Sequence, residues 1–213
     1  ANLNALVDST GFDYAALRAD TAAMAQLQVY VEAIATMPVA DPLASWINAY
    51  NALVVHAVLE RYPMDSVKDA AGGDFRFFRE INHTVAGRPL SLDDIENGVI
   101  RPRFEDARIH VALNCAALSC PPLAPKAFEQ ATLDADLDRL AHQTVNDGRH
   151  VYLEDGTLVV NEIFKWFEGD FRRDAGSLLQ WIQKYSDDAA VDALAADAVI
   201  DVYPYDWALA AAP

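Results

Sequence analysis

From Leu43 to Leu59 no residue carries a formal charge, and this gap constrains the fold of the chain more than any other feature. Asp41 followed by Pro42 predicts an N-cap with proline at the first helical position. The helix they open is expected to run from about Pro42 to Arg61, where Tyr62-Pro63 stops it. Leu43, Trp46, Ile47, Tyr50, Leu53, Val54 and Ala57 form one broad apolar face. The opposite side offers Ala44, Asn48, Asn51, Ala52, Val55 and Leu59 instead of charges. A helix with no charged face is expected to be central and buried. Its length approaches that of a membrane span, but Pro42, Ser45, Asn48, Asn51 and His56 interrupt the apolarity and nothing basic flanks its start, so no membrane span is expected.

Around this helix the chain mixes element types. Met24, Leu27, Val31 and Ile34 recur at helical spacing before Pro38 and Pro42. Phe77 to Leu90 predicts a hairpin around Ala86-Gly87, Ser91 with Asp94 a capped helix through Ile100, and Arg108 to Asn114 a strand. Leu133 to Val145 and Leu178 to Tyr185 read as helices. Val151 to Val160 reads as a hairpin turning at Glu154-Asp155-Gly156-Thr157, with Asn161 capping the helix that follows, and Val199 to Tyr203 as a last short strand. Strands and helices do not alternate regularly, so the expected class is α+β: a central buried helix and further helices packed on a small, mostly antiparallel sheet. A chain of 213 residues without a long linker is expected to be a single domain, with a helical part over about 1–62 and a mixed part over about 63–213.

Charge narrows the function. With 16 Lys+Arg against 32 Asp+Glu the formal net charge is -16, and with no basic stripe neither nucleic acid nor an anionic membrane surface is an expected partner. A small molecule or a peptide is the expected ligand class, and the oligomeric state is left open. The chain begins at Ala1, which reads as a removed leader or a trimmed start, with an exported or periplasmic location expected over a cytoplasmic one.

Two cysteines, Cys115 and Cys120, are too few for a disulfide framework or a cysteine-only zinc site, and no metal or cofactor is expected. They lie in a stretch from Ile109 to Pro125 without formal charge, together with His110, Asn114 and Ser119. On a strand, alternation would place His110 and Asn114 on one face, about 13 Å apart, and Cys115 on the other. A histidine-activated thiol then needs the chain to turn back after Cys115 and return Ser119 or Cys120 toward His110. Three readings of the thiols stay open: a reactive nucleophile, a Cys115 to Cys120 disulfide, and two inert core thiols. Asn48 and Asn51, three residues apart on the uncharged helix, need partners inside the protein. Those partners are either loop backbone or a polar site shared with another element. Glu96 is an acid that could orient a histidine. Tyr205-Asp206-Trp207 within Tyr203 to Trp207 reads as a C-terminal clamp.

These motifs resemble domain-of-unknown-function family 547, found in bacteria and as a domain in plant and animal proteins. The likeness rests on Trp46 to Leu53, on Leu90 to Glu96, on Ile109-His110 through Asn114-Cys115 to Ser119-Cys120-Pro121-Pro122, and on Tyr205-Asp206-Trp207. Departures are Ser45 where the family usually has an aromatic, Ala116 where glycine is common, and Ala208 and Ala210 where serine and asparagine are usual. The resemblance identifies the domain without naming a reaction, and implies that the Asn helix and the His/Asn/Cys segment belong to a common design. By fold-level analogy it is distantly similar to papain-like and transglutaminase-like hydrolases. Those place their cysteine at the start of the central helix, where this chain has Ser45, so a hydrolase would have to use Cys115 or Cys120.

The expected site is a cleft between the Asn helix and the His110 segment. Cys115 or Cys120 would act as nucleophile, His110 as base, and Asn48, Asn51 or Asn114 as orienting groups, for thiol-dependent acyl transfer or amide hydrolysis. The alternative is a module that binds a peptide or small ligand in the same cleft without chemistry.

Overall fold

The computed structural model of the protein describes residues 6–7 and 11–212. Helices α1 (Tyr14–Ala19) and α2 (Thr21–Ala35) open on aspartates, Asp13 accepting from the Ala16 N–H and Asp20 from those of Ala22 and Ala23. The uncharged segment forms α3 (Leu43–Leu59), buried on nearly every side as its lack of a charged face requires. Its N-terminus differs from expectation. Pro42, with ψ 167, stands outside the helix, Asp41 makes no cap, and Gln130 Oε1 accepts from the Ala44 N–H at 3.3 Å.

The predicted Phe77–Leu90 hairpin is shorter than expected. Arg76–Arg79 is a helical turn, α4, and the paired strands are only β1 (His83–Val85) and β2 (Arg88–Leu90). Ala86 and Gly87 both take positive φ between them, the twist a two-residue hairpin needs. Ser91 and Asp94 cap each other reciprocally and launch a π-helical stretch, Asp94–Ile100, that passes into α5 (Arg101–Phe104).

The largest correction falls on the His110 segment, which is a 3₁₀ helix over Ala107–Val111 and not a strand. Ala107, Ile109, His110, Val111, Ala112 and Leu113 are all buried, so the apolar alternation does not mark a half-exposed sheet surface. Among the described residues no strand pairs with it. Asp106 caps it through the Arg108 N–H, and Asp174 accepts the Ala107 N–H.

The second half has α6 (Leu133–Val145), β3 (Val151–Glu154), β4 (Thr157–Asn161), α7 (Glu162–Trp166), α8 (Glu168–Ala175), α9 (Leu178–Tyr185), α10 (Ala189–Asp192) and β5 (Ile200–Tyr203). β3 and β4 pair antiparallel around Asp155-Gly156, and Asn161 Oδ1 caps α7 through the Ile163 N–H. β5 lies parallel to β4, so α7 to α10 form the crossover between them and bring Phe164, Phe171 and Trp181 into the core. The architecture is α+β with two small sheets. Among the described residues no helix is long and apolar enough to cross a membrane.

After β5 the tail runs across the Cys115–Cys120 loop. Leu118 N–H donates to Ala208 O, Ser119 N–H to Asp206 O, and Ala210 N–H to Ala116 O, while Leu209 N–H reaches Asp65 O on the other side. The C-terminal segment therefore does clamp, chiefly through backbone bonds that the alanines at 208 and 210 supply as well as any residue.

Candidate active site

A cleft of about 390 Å³ opens where α3, the π-helical stretch, the 3₁₀ helix, α7 and the tail converge. Its walls are aromatic, with Phe75, Phe78, Trp166 and Trp207 prominent; Trp207 stacks on Trp166 at 5.5 Å between ring centroids and meets Phe75 edge-on at 4.8 Å. Its polar floor holds Tyr50, Glu96, His110, Cys115 and Tyr205.

His110 is fully enclosed. Its ring stacks on Phe167 at 3.8 Å, and Nε2 lies 2.8 Å from Asp170 Oδ2. Asp170 is also held by Arg101 Nε at 2.7 Å and by Arg173 at 2.9 Å. Hydrogen bonds from His110 and Arg101 hold its carboxyl well below the usual carboxylate range despite partial burial. An ionised Asp170 accepts from Nε2–H and leaves Nδ1, enclosed and without a hydrogen-bond partner, facing Glu96 Oε1 at 3.7 Å. Tyr50 Oη stands 3.4 Å from the other Glu96 oxygen. Burial, reinforced by the Glu96 charge, pushes the Tyr50 hydroxyl well above its ordinary range, so it serves as a donor.

The two cysteines are free and differ in setting. Cys115 is partly exposed on the cleft and its sulfur lies 3.1 Å from Tyr205 Oη. Burial raises this thiol, but hydrogen bonds from Cys120, Tyr205 and the Ala117 backbone outweigh it and bring Cys115 below its ordinary value. Burial and the neighbouring Cys115 push Cys120 and Tyr205 well up, so the phenol donates and Cys115 sulfur accepts. Cys120 sits behind it, its sulfur accepting the Cys115 N–H at 2.9 Å and approaching Leu113 O at 3.8 Å.

The amide and hydroxyl candidates lie elsewhere. Asn51 bonds one loop in both directions, Nδ2 to Ala112 O at 2.9 Å and Oδ1 from Asn114 N–H at 2.8 Å. Asn48 does the same with the backbone of Phe128. Asn114 bonds Pro121 O and accepts from Ala116 N–H. Ser119 Oγ accepts from Asp206 N–H, and its carbonyl accepts from Asn161. None of these four lines the His110 cleft; Asn48 and Asn51 face a second cavity of about 220 Å³ between α2 and α3. Ala116, in the loop after Cys115, has φ 61, the left-handed conformation that explains why glycine suits this position.

Asp170 is the residue that sequence reasoning missed. It sits 60 positions from His110 in an exposed-looking Glu168-Gly169-Asp170 run, and no local pattern announces their contact. Among the described residues no group of three or more His, Cys, Asp or Glu side chains is arranged to hold a metal ion.

A family model described as protein of unknown function, DUF547, matches residues 34–143, just over half of the chain. The chain belongs to the DUF547 family. No curated protein and no solved structure matches it. The DUF547 match contains Tyr50, Glu96, His110 and both cysteines, whereas Asp170, Trp166 and the Tyr205 to Trp207 clamp lie beyond it.

Proposed function

We propose that the cleft carries out thiol-dependent acyl transfer or amide hydrolysis, with Cys115 as nucleophile, on a small molecule or peptide whose acyl group is apolar or aromatic. The observation that carries this reading is the Cys115 sulfur, open to an aromatic cleft and bonded by the Tyr205 hydroxyl. A hydrogen-bonded thiolate attacks a carbonyl carbon, expels the amine or alcohol and leaves a thioester. Glu96, on the cleft floor with His110 Nδ1 3.7 Å behind one oxygen and the Tyr50 hydroxyl at the other, gives a proton to the leaving group and takes one from the incoming acceptor or water. Asp170 is a positioning residue that fixes the imidazole through Nε2. Asn51 and Asn114 shape the loop that presents Cys115.

A second reading, a ligand-binding module without chemistry, is favoured by one feature: both nitrogens of His110 face carboxylates, and neither bonds a sulfur. An activated aryl ester separates the two. The catalytic reading predicts an acyl adduct on Cys115 seen by intact mass and peptide mapping, lost in Cys115→Ala and formed at least tenfold more slowly in His110→Ala. Saturable binding of the ester with no adduct would establish the module instead.

A further inference from the structure

Acyl transfer uses one thiol, and the structure holds two in a single turn. The loop reverses after Cys115 through Ala116 at positive φ, and Cys120 N–H closes it onto Ala117 O at 3.0 Å. The reversal brings the Cys120 sulfur against the Cys115 backbone N–H at 2.9 Å. Both residues line the cleft, Cys115 partly exposed and Cys120, at 6%, the more deeply buried. A partly exposed thiol, a more deeply buried one and a phenol beside the first are the parts of a two-step thiol oxidation.

We propose that Cys115 and Cys120 form a redox-active dithiol that reduces small hydroperoxides, Cys115 being the attacking and Cys120 the resolving residue. The Cys115 thiolate attacks the distal peroxide oxygen and the O–O bond breaks. The leaving alkoxide or hydroxide takes a proton, which the Tyr205 hydroxyl beside the sulfur is placed to supply and to recover from the Cys120 thiol. Cys115 is then a sulfenic acid. Cys120 sulfur attacks Cys115 sulfur, the S–O bond breaks and the hydroxide departs, becoming water with the proton that Cys115 released to solvent on ionising. Two thiols and one hydroperoxide thus become one disulfide, one alcohol (or water) and one water. A thiol reductant closes the cycle. The depressed thiol at Cys115 and the raised one at Cys120 agree with this order of attack. Both cysteines line the 390 Å³ cleft, and Cys115, partly exposed where Cys120 is buried, is the one a peroxide meets first.

The test is titration of the full chain with hydrogen peroxide near neutral pH, followed by intact mass and peptide mapping. The proposal predicts loss of two hydrogens, a peptide linking residues 115 and 120, and full recovery with dithiothreitol. In Cys120→Ser one oxygen should be gained at Cys115, trappable by dimedone, and in Cys115→Ser peroxide consumption should fall at least tenfold. Accumulation of sulfinic or sulfonic acid on Cys115 in the wild-type chain without a disulfide would overturn it, as would unchanged peroxide consumption by Cys115→Ser. Circular dichroism of both variants separates lost chemistry from lost folding. The acyl adduct is a different mass on the same sulfur, so each reading can fail without the other.

Discussion

On one side of α3, Asn48 and Asn51 face the 220 Å³ cavity and commit both amide atoms to the backbone of Phe128 and of the Ala112–Asn114 turn. On the other side, the 390 Å³ cleft is lined by His110, whose enclosed Nδ1 has no partner, by Glu96 with one long contact to Tyr50, and by Cys115, its sulfur held by a phenol. A buried amide with a backbone partner at both its oxygen and its nitrogen has its orientation fixed by the loop it bonds, and that bonding holds the fold. A polar atom that ends on a cavity still has a bond to make. Residues of similar sequence prominence thus differ in the state of their hydrogen bonds: Asn48 and Asn51 are bonded to backbone at both amide atoms, and His110 Nδ1 is bonded to nothing.

Substitution tells the two sides apart, and Asn51, buried and bonded to backbone at both amide atoms, is the costliest to replace. Asn51→Leu strands the Ala112 carbonyl and the Asn114 N–H in the core, and should cost about 4 kcal/mol at roughly 1–3 kcal/mol for each orphaned group. Asn48 is only partly buried, so Asn48→Leu should cost about 2 kcal/mol. Cys115→Ser should stay within about 0.5 kcal/mol, because the replacement keeps a hydroxyl opposite Tyr205. Denaturant midpoints at constant slope measure all three, and a Cys115→Ser cost rivalling that of Asn51→Leu would break the distinction.

An orphan nitrogen outside the cleft tests the comparison from the other direction. His150 is buried, its Nε2 has no partner, and burial lowers its pKa from 6.5 to about 4. The unfolded chain binds a proton there before the native one does. The contribution is therefore full above pH 6.5 and is lost as pH falls toward 4, amounting to about 3 kcal/mol at about 1.4 kcal/mol per pKa unit. His150→Asn should flatten the stability profile between those values while leaving the Cys115 thiol's reactivity unchanged.

Much of this arrangement was legible in the sequence where the signal was local. The missing charges of α3, the Ser91–Asp94 reciprocal cap, the Asp155-Gly156 turn and the edges of α6 and α9 all came from patterns a few residues long. Ile109, Val111 and Leu113 misled because alternation implies a strand only when the intervening residues are exposed, and here His110 and Ala112 are buried too. Glu96 was identified as an acid able to serve a histidine, and it does stand beside His110. Asp170 and the phenol at Cys115 depend on contacts 60 and 90 positions apart, set by the α7 to α10 crossover and the tail, and carry no local signature.

Both proposed reactions require Cys115, and not its neighbour, to be the activated thiol. The direct test is the rate of iodoacetamide alkylation of the native, reduced chain from pH 5 to 9, read by peptide mapping beside glutathione. Cys115 alone should be modified, faster than glutathione near neutral pH and with an apparent pKa below about 8.5. That pKa should rise in Tyr205→Phe, which removes the hydrogen bond to the sulfur. Alkylation only at the rate of global unfolding, or equal labelling of Cys115 and Cys120, would contradict it.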